Sequence, residues 1–277
     1  MIEGKRILIT GSAGSVGSEL YRQLALHNTV LAFDFNETGI FDLHEEYRLK
    51  GHDVHYRLGD IRNRETVRDT VEGFRPEVIF HAAALKHVTP NEVYPDEAVE
   101  TNIKGTLNII NEAKRIGVPK LVYISTDKAI NSYSVMGVTK KLGELITKNA
   151  GYTAVRFGNV LGSRGSVIPI WQRQMDSSEP LTITDPKMER YFMSIEEACS
   201  LLIKAAEIGE GGEVMVMDMG ELVNVLDIAK GILNKAGKNQ EDIKIIGIRP
   251  GETLTEELMT PEERTRAIKI DHFWLIK

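Results

Sequence analysis

The stretch Thr10-Gly11-Ser12-Ala13-Gly14-Ser15-Val16-Gly17 decides the fold that we predict for this chain. A short β-rich run, residues 5–10, leads into it, and a helical pattern, residues 18–27, follows it. In such a strand–turn–helix Gly11 makes the tight turn, Gly14 admits the close approach of a diphosphate, and Gly17 permits close packing of helix on strand. The alternative is a glycine-rich loop with no ligand. The flanking strand and helix favour the first interpretation, with phosphates held by backbone N–H groups.

Strand and helix patterns alternate outward from this turn. Apolar β-rich runs recur, and helical patterns separate them, among them residues 64–73, 97–116 and 135–149. The runs lie at residues 30–33, 54–58, 77–80, 120–124 and 154–157. This alternation predicts the α/β class, with a Rossmann-like doubly wound parallel sheet and right-handed crossovers. Because glycine and polar residues become frequent later, we predict a Rossmann domain at residues 1–158 and a smaller lobe at residues 159–277, with segments returning to the core.

The composition describes one large globular domain or a domain with a small appendage, since 42% of the 277 residues are hydrophobic. The net charge is −6 with acids and bases interspersed, so we expect no nucleic-acid partner and no membrane surface. The first apolar run has only the length of a strand, which argues against a signal peptide and favours a cytoplasmic protein. The single cysteine, Cys199, excludes an internal disulfide and a cysteine-built metal site, and we expect no metal.

Two acidic residues follow predicted strands on the cofactor side of the sheet. Asp34 ends the second strand, near the distance expected for the acid that binds the adenosine ribose of NAD. Its carboxylate would repel the 2′-phosphate of NADP, and Phe35 and Asn36 offer no positive charge, so NAD is favoured and NADP stays an alternative. Asp60, followed by Ile61, is placed to accept a hydrogen bond from adenine. Each acid has an alternative role as the N-cap of the next helix.

A second candidate site follows the fifth predicted strand, at Ser125-Thr126-Asp127-Lys128-Ala129. Ligands of open α/β sheets bind at the carboxyl ends of the strands. A carboxylic acid beside an amine at that place suits a reaction that gives one proton to a substrate and takes another from it. A helix N-cap explains one or two of these residues, but it explains neither Lys128 nor a second lysine, Lys140. Met136 and Lys140 are four residues apart and share one helix face.

Small and basic residues follow the fourth predicted strand. Three alanines, Ala82 to Ala84, leave room for a flat cofactor, and Lys86 with His87 forms a basic corner beside the cleft, in a loop that ends at Pro90. Asn102 lies within the predicted 97–116 helix, where we expect it to face solvent with no role beyond a structural hydrogen bond.

The second half of the chain carries three arginines that are far apart in sequence. Arg164 lies in a glycine-rich loop at residues 158–169, whose length is typical of functional loops. Arg190 and Arg249 follow later. Convergent arginines suit bidentate binding of a diphosphate, whereas solvent exposure is the alternative for each one alone.

Taken in order, these motifs resemble the extended short-chain dehydrogenase/reductases, and more narrowly the CapD-like polysaccharide-biosynthesis branch of UDP-N-acetylglucosamine 4,6-dehydratases. The matching segments are residues 10–17, 81–88, 125–129, 155–169, 184–193 and 249–252, the last followed by Glu256-Glu257-Leu258. The similarity covers nearly the whole chain. Long family members have an N-terminal membrane region, and the resemblance implies that this chain corresponds to the soluble catalytic part alone.

The resemblance implies a mechanism and a partner. A UDP-sugar in the smaller lobe is oxidised at C4 by NAD(P)⁺, loses the C5 proton and the C6 hydroxyl as one water, and regains the hydride at C6. It implies that Asp127 protonates the leaving C6 oxygen, that Lys128 is the base at C5, that Thr126 bonds the sugar and that Lys140 holds the nicotinamide ribose. Because Asp127 and Lys128 are adjacent, they titrate as a coupled pair. We expect that this coupling can leave a neutral acid and a neutral base together near pH 7.

One position departs from the wider superfamily, which has Tyr-x-x-x-Lys where this chain has Met136. A thioether cannot take a proton, and methionine also occurs there in the polysaccharide-biosynthesis branch. Our hypothesis is that Lys128, Lys140 or a water between them serves as the C4 base. A 4-epimerase or 4-dehydrogenase, and a non-catalytic NAD(P)-binding protein, are the alternative functions. Asp127 beside Lys128 favours the dehydratase.

The sequence therefore yields three sets of candidate residues and one assembly. The candidate catalytic residues are Thr126, Asp127, Lys128, Met136 and Lys140. The candidate cofactor-binding residues are Gly11, Ser12, Gly14, Ser15, Val16, Gly17, Asp34, Phe35, Asn36, Asp60, Ile61, Ala82, Ala83, Ala84, Lys86, Ser125 and Lys140. The candidate substrate-binding residues are Lys86, His87, Asn159, Ser166, Val167, Thr182, Thr184, Arg190, Arg249 and Glu252. Family members commonly pair the helices at residues 97–116 and 135–149 between subunits, which implies a homo-oligomer, a dimer or larger.

Overall fold

The strands and helices come from a computed structural model that describes residues 2–52, 54–249 and 251–277. The strands in chain order are β1 (Arg6–Thr10), β2 (Thr29–Asp34), β3 (His55–Leu58), β4 (Val78–His81), β5 (Lys120–Ile124), β6 (Thr153–Arg156), β7 (Asn159–Val160), β8 (Leu181–Ile183), β9 (Glu189–Arg190), β10 (Phe192–Met193), β11 (Val214–Met217), β12 (Val223–Asn224), β13 (Ile243–Ile245), β14 (Ile268–Ile270) and β15 (Phe273–Ile276). The helices are α1 (Ser15–Leu24), α2 (Glu37–Arg48), α3 (Arg64–Phe74), α4 (Val88–Val93), α5 (Pro95–Ala98), α6 (Thr106–Ile116), α7 (Val135–Asn149), α8 (Val167–Asp176), α9 (Ile195–Ile208), α10 (Val225–Lys235) and α11 (Pro261–Arg266). A π-helical stretch, Val99–Gly105, joins α5 to α6, and a 3-10 turn spans Asp127–Ala129.

A nine-stranded sheet lies at the centre of the described residues, in the order β14-β15-β11-β6-β5-β4-β1-β2-β3. Neighbouring strands from β3 to β11 are parallel, and β15 pairs antiparallel with both β11 and β14. The chain winds from β1 outward to β3 and then crosses to β4, which is the doubly wound arrangement with a switch point between β1 and β4. The predicted fold class is confirmed, and the antiparallel edge is an addition that the sequence patterns did not predict.

The central strands are buried on both faces. Ile7, Leu8 and Ile9 of β1 are inaccessible to solvent, as are Ile79 and Phe80 of β4. Parallel strands covered by helices on both sides read as continuous apolar runs rather than as alternating patterns, which is why these segments were recognisable in the sequence. The carboxyl ends of β1, β4 and β5 therefore lie side by side at one edge of the core.

The second half of the chain divides between the main sheet and a small separate core. Strands β11, β14 and β15 extend the main sheet, whereas β8 and β13 pair apart from it. A second hydrophobic cluster, distinct from the main core, contains Trp171, Leu181, Ile183, Ala229 and Leu233. The domain boundary at residue 158 stays a prediction.

Three local predictions need correction. Helix α1 begins at Ser15 rather than at residue 18, because the glycine turn closes within four residues. The predicted loop to Pro90 ends earlier, since α4 begins at Val88. The helix predicted at residues 97–116 begins at Pro95 and contains the π-helical stretch. No helix in the described parts of the chain combines the length and the apolar character that a membrane span requires.

Candidate active site

The glycine turn joins β1 to α1 and touches the end of β4. Gly11 has a φ of +71°, and a Cβ added to it would lie 2.6 Å from the backbone nitrogen of Ala83. A Cβ on Gly17 would lie 2.1 Å from the carbonyl oxygen of Gly11. Any side chain at either position would therefore displace backbone. The turn packs Gly11 against the backbone of Ala82 and Ala83, so the two candidate cofactor segments are adjacent.

The carboxylate of Asp34 binds two backbone N–H groups at the end of β2. One oxygen accepts from Ala13 N at 2.9 Å and the other accepts from Asn36 N at 2.9 Å. The side chain that caps α2 is Asn36, which accepts from Gly39 N at 3.1 Å. The alternative role of Asp34 as that N-cap is therefore wrong, and the acid instead fixes the glycine turn against β2. Phe35 beside it is 72% exposed.

Asp60 and Ile61 follow β3 and have different surroundings. Asp60 accepts from the backbone nitrogen and the guanidinium of Arg62, and Asn63 is the N-cap of α3, so the capping alternative for Asp60 is also wrong. Ile61 is buried against Gly105, where a Cβ would lie 2.5 Å from its Cδ1. Ile61 thus contributes to the core beneath the π-helical stretch.

The loop after Gly158 crosses from the second half of the chain to the glycine turn. The backbone nitrogen of Arg164 donates to Ser15 Oγ at 2.9 Å, and Lys86 Nζ donates to Ser163 Oγ at 3.5 Å. Gly165 packs on the His87 ring, whose Cε1 lies 2.6 Å from the position of an added Cβ. These contacts hold the loop against the glycine turn and against residues 86–87.

Asp127 and Lys128 begin the 3-10 turn at the carboxyl end of β5. Asp127 is inaccessible to solvent, and its Oδ1 accepts from Lys128 Nζ at 3.0 Å and from Thr126 Oγ1 at 2.9 Å. Its Oδ2 is buried with no hydrogen-bond partner among the described residues, 3.2 Å from the position of a Cβ on Gly158. The side chain of Lys128 is 26% exposed and borders a cavity of about 220 Å³. Neither side chain projects into bulk solvent.

The charges around Lys128 favour its ammonium form. Burial alone would lower the pKa of the Lys128 amine, but the carboxylates of Asp127 and Glu256 outweigh burial and the positive charge of Arg190, and they raise that pKa above its ordinary value. The expectation that coupling would leave Lys128 neutral near pH 7 is therefore wrong for the structure without a substrate, because two acids rather than one contact the amine.

Helix α7 carries Met136 and Lys140 on one face, as predicted, and both side chains are buried. Lys140 Nζ donates to the carbonyl oxygen of Ile124 at 2.5 Å and lies 4.1 Å from the centre of the Tyr123 ring. Burial lowers the pKa of Lys140 to about 7, although the carboxylate of Glu144 opposes the shift. An amine with such a pKa exchanges protons readily at neutral pH.

Asn102 was expected to face solvent, and this expectation is wrong. It is 1% exposed within the π-helical stretch. Its amide nitrogen donates to Leu85 O at 3.0 Å and to Thr139 Oγ1 at 3.0 Å, and its Oδ1 accepts from Leu85 N at 2.8 Å. The predicted structural hydrogen bond is confirmed and links the loop before Lys86 to α7. Helical periodicity gave no sign of it, because the π-helical stretch changes the direction of the side chain.

The predicted diphosphate arginines have separate environments. Arg190 is buried, and its guanidinium donates to the carbonyl oxygens of Glu189, Thr253 and Leu254. A diphosphate role would require it to leave these carbonyls. Arg249 lies 4.0 Å from Glu252, and Arg164 is exposed. Pro250, in the matching segment at residues 249–252, lies outside the described residues.

The remaining substrate candidates lie around the small core and the crossing loop. Asn159 bonds the carbonyl oxygen of Tyr191 at 3.2 Å, Thr182 exchanges hydrogen bonds with Gln174, and Thr184 donates to the sulfur of Met188. Val167 begins α8, and Ser166 precedes it.

Four buried oxygens without hydrogen-bond partners lie on candidate site segments. Within the described residues these include Ser12 Oγ, Ser125 Oγ, Asp127 Oδ2 and Ser166 Oγ. Buried polar atoms of native proteins normally have partners, so these four are available to a ligand. Together with a glycine turn that admits no Cβ at Gly11 or Gly17, they fit a phosphate-bearing cofactor and a hydroxylated substrate.

Known proteins are similar to this chain in sequence and in fold. A family described as polysaccharide biosynthesis protein matches residues 7–277. The chain belongs to this family. It is 42% identical to the capsular polysaccharide biosynthesis protein CapD of Staphylococcus aureus over 276 residues, which is 95% of this chain and 46% of CapD, so the chain spans about half the length of that relative. The resemblance to the CapD-like branch is confirmed.

Other relatives and structural neighbours include proteins named as enzymes of nucleotide sugars. The UDP-glucose 4-epimerase of Rickettsia bellii is 34% identical over 293 residues, covering 100% of this chain and 84% of that protein. The X-ray structure of Pen from Bacillus thuringiensis has a TM-score of 0.93 at 35% identity, with 99% and 89% of the two chains covered. The dTDP-glucose 4,6-dehydratase DesIV of Streptomyces venezuelae, solved with NAD, has a TM-score of 0.80 at 20% identity over 94% and 90%, and it shows the shared fold alone.

Proposed function

We propose that this protein is an NAD-dependent nucleotide-sugar 4,6-dehydratase that acts on a UDP-N-acetylhexosamine, UDP-N-acetylglucosamine in particular. The observation that carries the proposal is the buried contact of 3.0 Å between Asp127 Oδ1 and Lys128 Nζ, with Asp127 Oδ2 left unpartnered. An oxidation or an epimerisation at C4 needs no proton donor at C6, whereas a dehydration needs a donor there and an acceptor at C5.

The hydrogen bonds of Asp127 favour one of its two oxygens as the proton donor. Oδ1 already accepts from Thr126 and Lys128, so the free Oδ2 is the oxygen that carries a proton to the leaving C6 hydroxyl. Thr126 keeps the carboxyl group in this orientation. The sugar must then lie beside Gly158, next to Oδ2.

Lys128 has to lose its proton before it can take the proton from C5. The proton it loses protonates the neighbouring carboxyl group of Asp127, and Lys128 returns a proton to C5 when the hydride adds to C6. A sugar that covers the partly exposed amine excludes water from it, and desolvation lowers the pKa of a lysine. NAD⁺, when bound, supplies the acceptance of a hydride at C4 and its return at C6. The fit of the glycine turn to a diphosphate and the position of Asp34 support NAD as the cofactor.

Lys140 is the group we propose as the proton acceptor for the C4 hydroxyl, in the place of the absent tyrosine. Its pKa of about 7 allows it to accept a proton at neutral pH. Met136 is 2% exposed and supplies an apolar wall beside it.

We also propose a homo-oligomer that covers the outer face of α7. Val138, Leu142 and Leu145 are 53%, 38% and 45% exposed and recur at helical spacing on that face. Exposed apolar side chains in one stripe are typical of an interface between subunits.

A 4-epimerase is the second candidate, favoured by the name of the Rickettsia relative. Incubation of the protein with UDP-N-acetylglucosamine and NAD⁺, followed by mass spectrometry and NMR, distinguishes the candidates. We expect a 4-keto product that has lost one water. An epimer of unchanged mass would support the second candidate, and an unchanged substrate would support a non-catalytic protein.

A further inference from the structure

The carboxylate of Glu256 lies at the candidate site although no pattern in the sequence assigned it a role. It is 8% exposed, and its Oε1 is 3.7 Å from Lys128 Nζ and 3.7 Å from Arg190 Nη2. A buried carboxylate is costly unless positive charges surround it. Lys128 and Arg190 supply these positive charges, so Glu256 and Lys128 stabilise each other in the buried site.

The segment at residues 253–258, which carries Glu256, is anchored at both ends by buried arginines. Arg190 donates to Thr253 O at 2.7 Å and to Leu254 O at 2.9 Å, and Arg156 donates to Leu258 O at 2.9 Å. These contacts join residues 63 to 102 positions apart in sequence, and both guanidinium groups are buried. The backbone on each side of Glu256 is thus fixed relative to Lys128.

We propose that Glu256 is a positioning residue that holds the Lys128 ammonium beside Asp127 at the edge of the 220 Å³ cavity. The proposal rests on the proposed function, in which Lys128 takes the C5 proton. A lysine side chain has four rotatable bonds, and a second carboxylate opposite Asp127 limits where its nitrogen lies. Lys128 then faces the sugar when the sugar arrives.

The electrostatic consequence can be measured. The charged groups that face Lys128 are Asp127 on its own turn, Glu256 on the 253–258 segment and Arg190 on β9, and Tyr133 and Glu257 border the same cavity. Glu256 is one of the two carboxylates that raise the pKa of Lys128. Its neutral replacement, Glu256→Gln, should lower that pKa by about one unit.

The test compares the wild type with Glu256→Gln by trace acetylation of Lys128 with acetic anhydride at a series of pH values, read by peptide mass spectrometry. Only the neutral amine reacts, so the profile reports the pKa without requiring turnover. We expect the profile to move to lower pH by about one unit in Glu256→Gln. We expect no movement in Glu262→Gln, a change of the same charge at an exposed residue of α11.

Activity supplies the second measurement. In Glu256→Gln we expect the rising limb of the pH profile of kcat/KM to lie at lower pH than in the wild type, as the acetylation profile does. We expect kcat to be about tenfold lower than in the wild type. Glu256→Asp keeps the negative charge, so its acetylation profile should lie nearer to that of the wild type than the profile of Glu256→Gln does. If Glu256→Gln does not fold, Glu256→Asp replaces it in the comparison with the wild type.

An acetylation profile that is the same in the wild type and Glu256→Gln would overturn the proposal, as would an equal shift in Glu262→Gln. The proposed function fails separately, when the wild type forms no 4-keto product. In that case acetylation still decides whether Glu256 holds Lys128.

Discussion

Two groups of charges contact the 253–258 segment, and they differ in how fully their hydrogen bonds are made. Arg156 uses all its donors, to Glu144, Glu263 and the carbonyl oxygen of Leu258, at 2.7 to 3.2 Å. In the other group Asp127 Oδ2 has no partner among the described residues, and Lys128 Nζ makes one hydrogen bond, to Asp127.

The difference separates a structural role from a catalytic one. A buried ion pair with every hydrogen bond made fixes the relative positions of β6, α7 and α11 and offers nothing to a ligand. A buried pair with free lone pairs and donors is costly in the absence of a ligand, and a substrate can supply the missing contacts. We therefore expect changes in the Arg156 group to alter stability and changes in the Asp127 group to alter activity.

The largest expected effect is on turnover. Asp127→Asn and Lys128→Met should each lower kcat for formation of the 4-keto product by about 10²- to 10⁴-fold, the usual contribution of a proton-transferring group. Binding of NAD⁺, measured by calorimetry, should remain, because neither residue belongs to the glycine turn. Full activity in Lys128→Met would refute its role as the C5 base.

Arg156→Met should destabilise the fold by about 3–5 kcal/mol, because it removes the buried cation from two buried carboxylates and leaves them only the partly exposed Lys141, 3.3 Å from each. Urea unfolding measures the change in the free energy of unfolding. The control is Arg22→Met, in a partly exposed pair with Glu46, which should cost at most about 1 kcal/mol. Equal losses in the two variants would remove the distinction between the groups.

Protonation of the Glu263 carboxylate should make the stability of the fold depend on pH. Burial raises its pKa, but the hydrogen bond and charge of Arg156 outweigh burial and lower the pKa from 4.5 to about 2. The pKa of Glu263 is lower in the folded protein than in the unfolded chain. Its contribution to stability is therefore complete above pH 4.5 and is lost as the pH falls toward 2. Glu263→Gln should be less stable than the wild type by about 2–3 kcal/mol at pH 7. The difference should shrink in acid, and a constant difference would contradict the account.

The smallest expected effect is at Thr126, which orients Asp127 through one hydrogen bond. Thr126→Val keeps the shape of the side chain and removes that bond. A hydrogen bond to a charged group contributes about 1.5–3 kcal/mol, so kcat should fall about ten- to a hundredfold. Thermal unfolding should change little, and a large loss of stability would place Thr126 with the structural group.

The parts of the molecule that could be predicted are those specified by residues close to one another in the sequence. The glycine turn, the buried strands and helix α7 (Val135–Asn149) each carry a continuous local signal. The glycine pattern also located Asp34, because the spacing from turn to acid follows from one strand–helix–strand unit. Asp127 and Lys128 were found for the same reason, since both follow a buried strand directly.

The parts that sequence reasoning missed depend on contacts between distant residues. Glu256 meets Lys128 across more than a hundred residues, and Arg156 meets Leu258 and Glu263 over a similar separation. The buried pattern of residues 255–258 alternates, but its buried members include a carboxylate, so hydrophobic periodicity gave no signal. Arg190 looked like a ligand-binding arginine for the same reason: its carbonyl partners lie on a distant segment.

The most direct test of the catalytic role assigned to the Asp127 group uses UDP-N-acetylglucosamine with deuterium at C4 of the sugar. The wild type is incubated with it and NAD⁺, and the position of the label is read by NMR. We predict a 4-keto product that has lost one water and carries the deuterium at C6. Deuterium retained at C4 of an epimer, with no loss of water, would contradict the account.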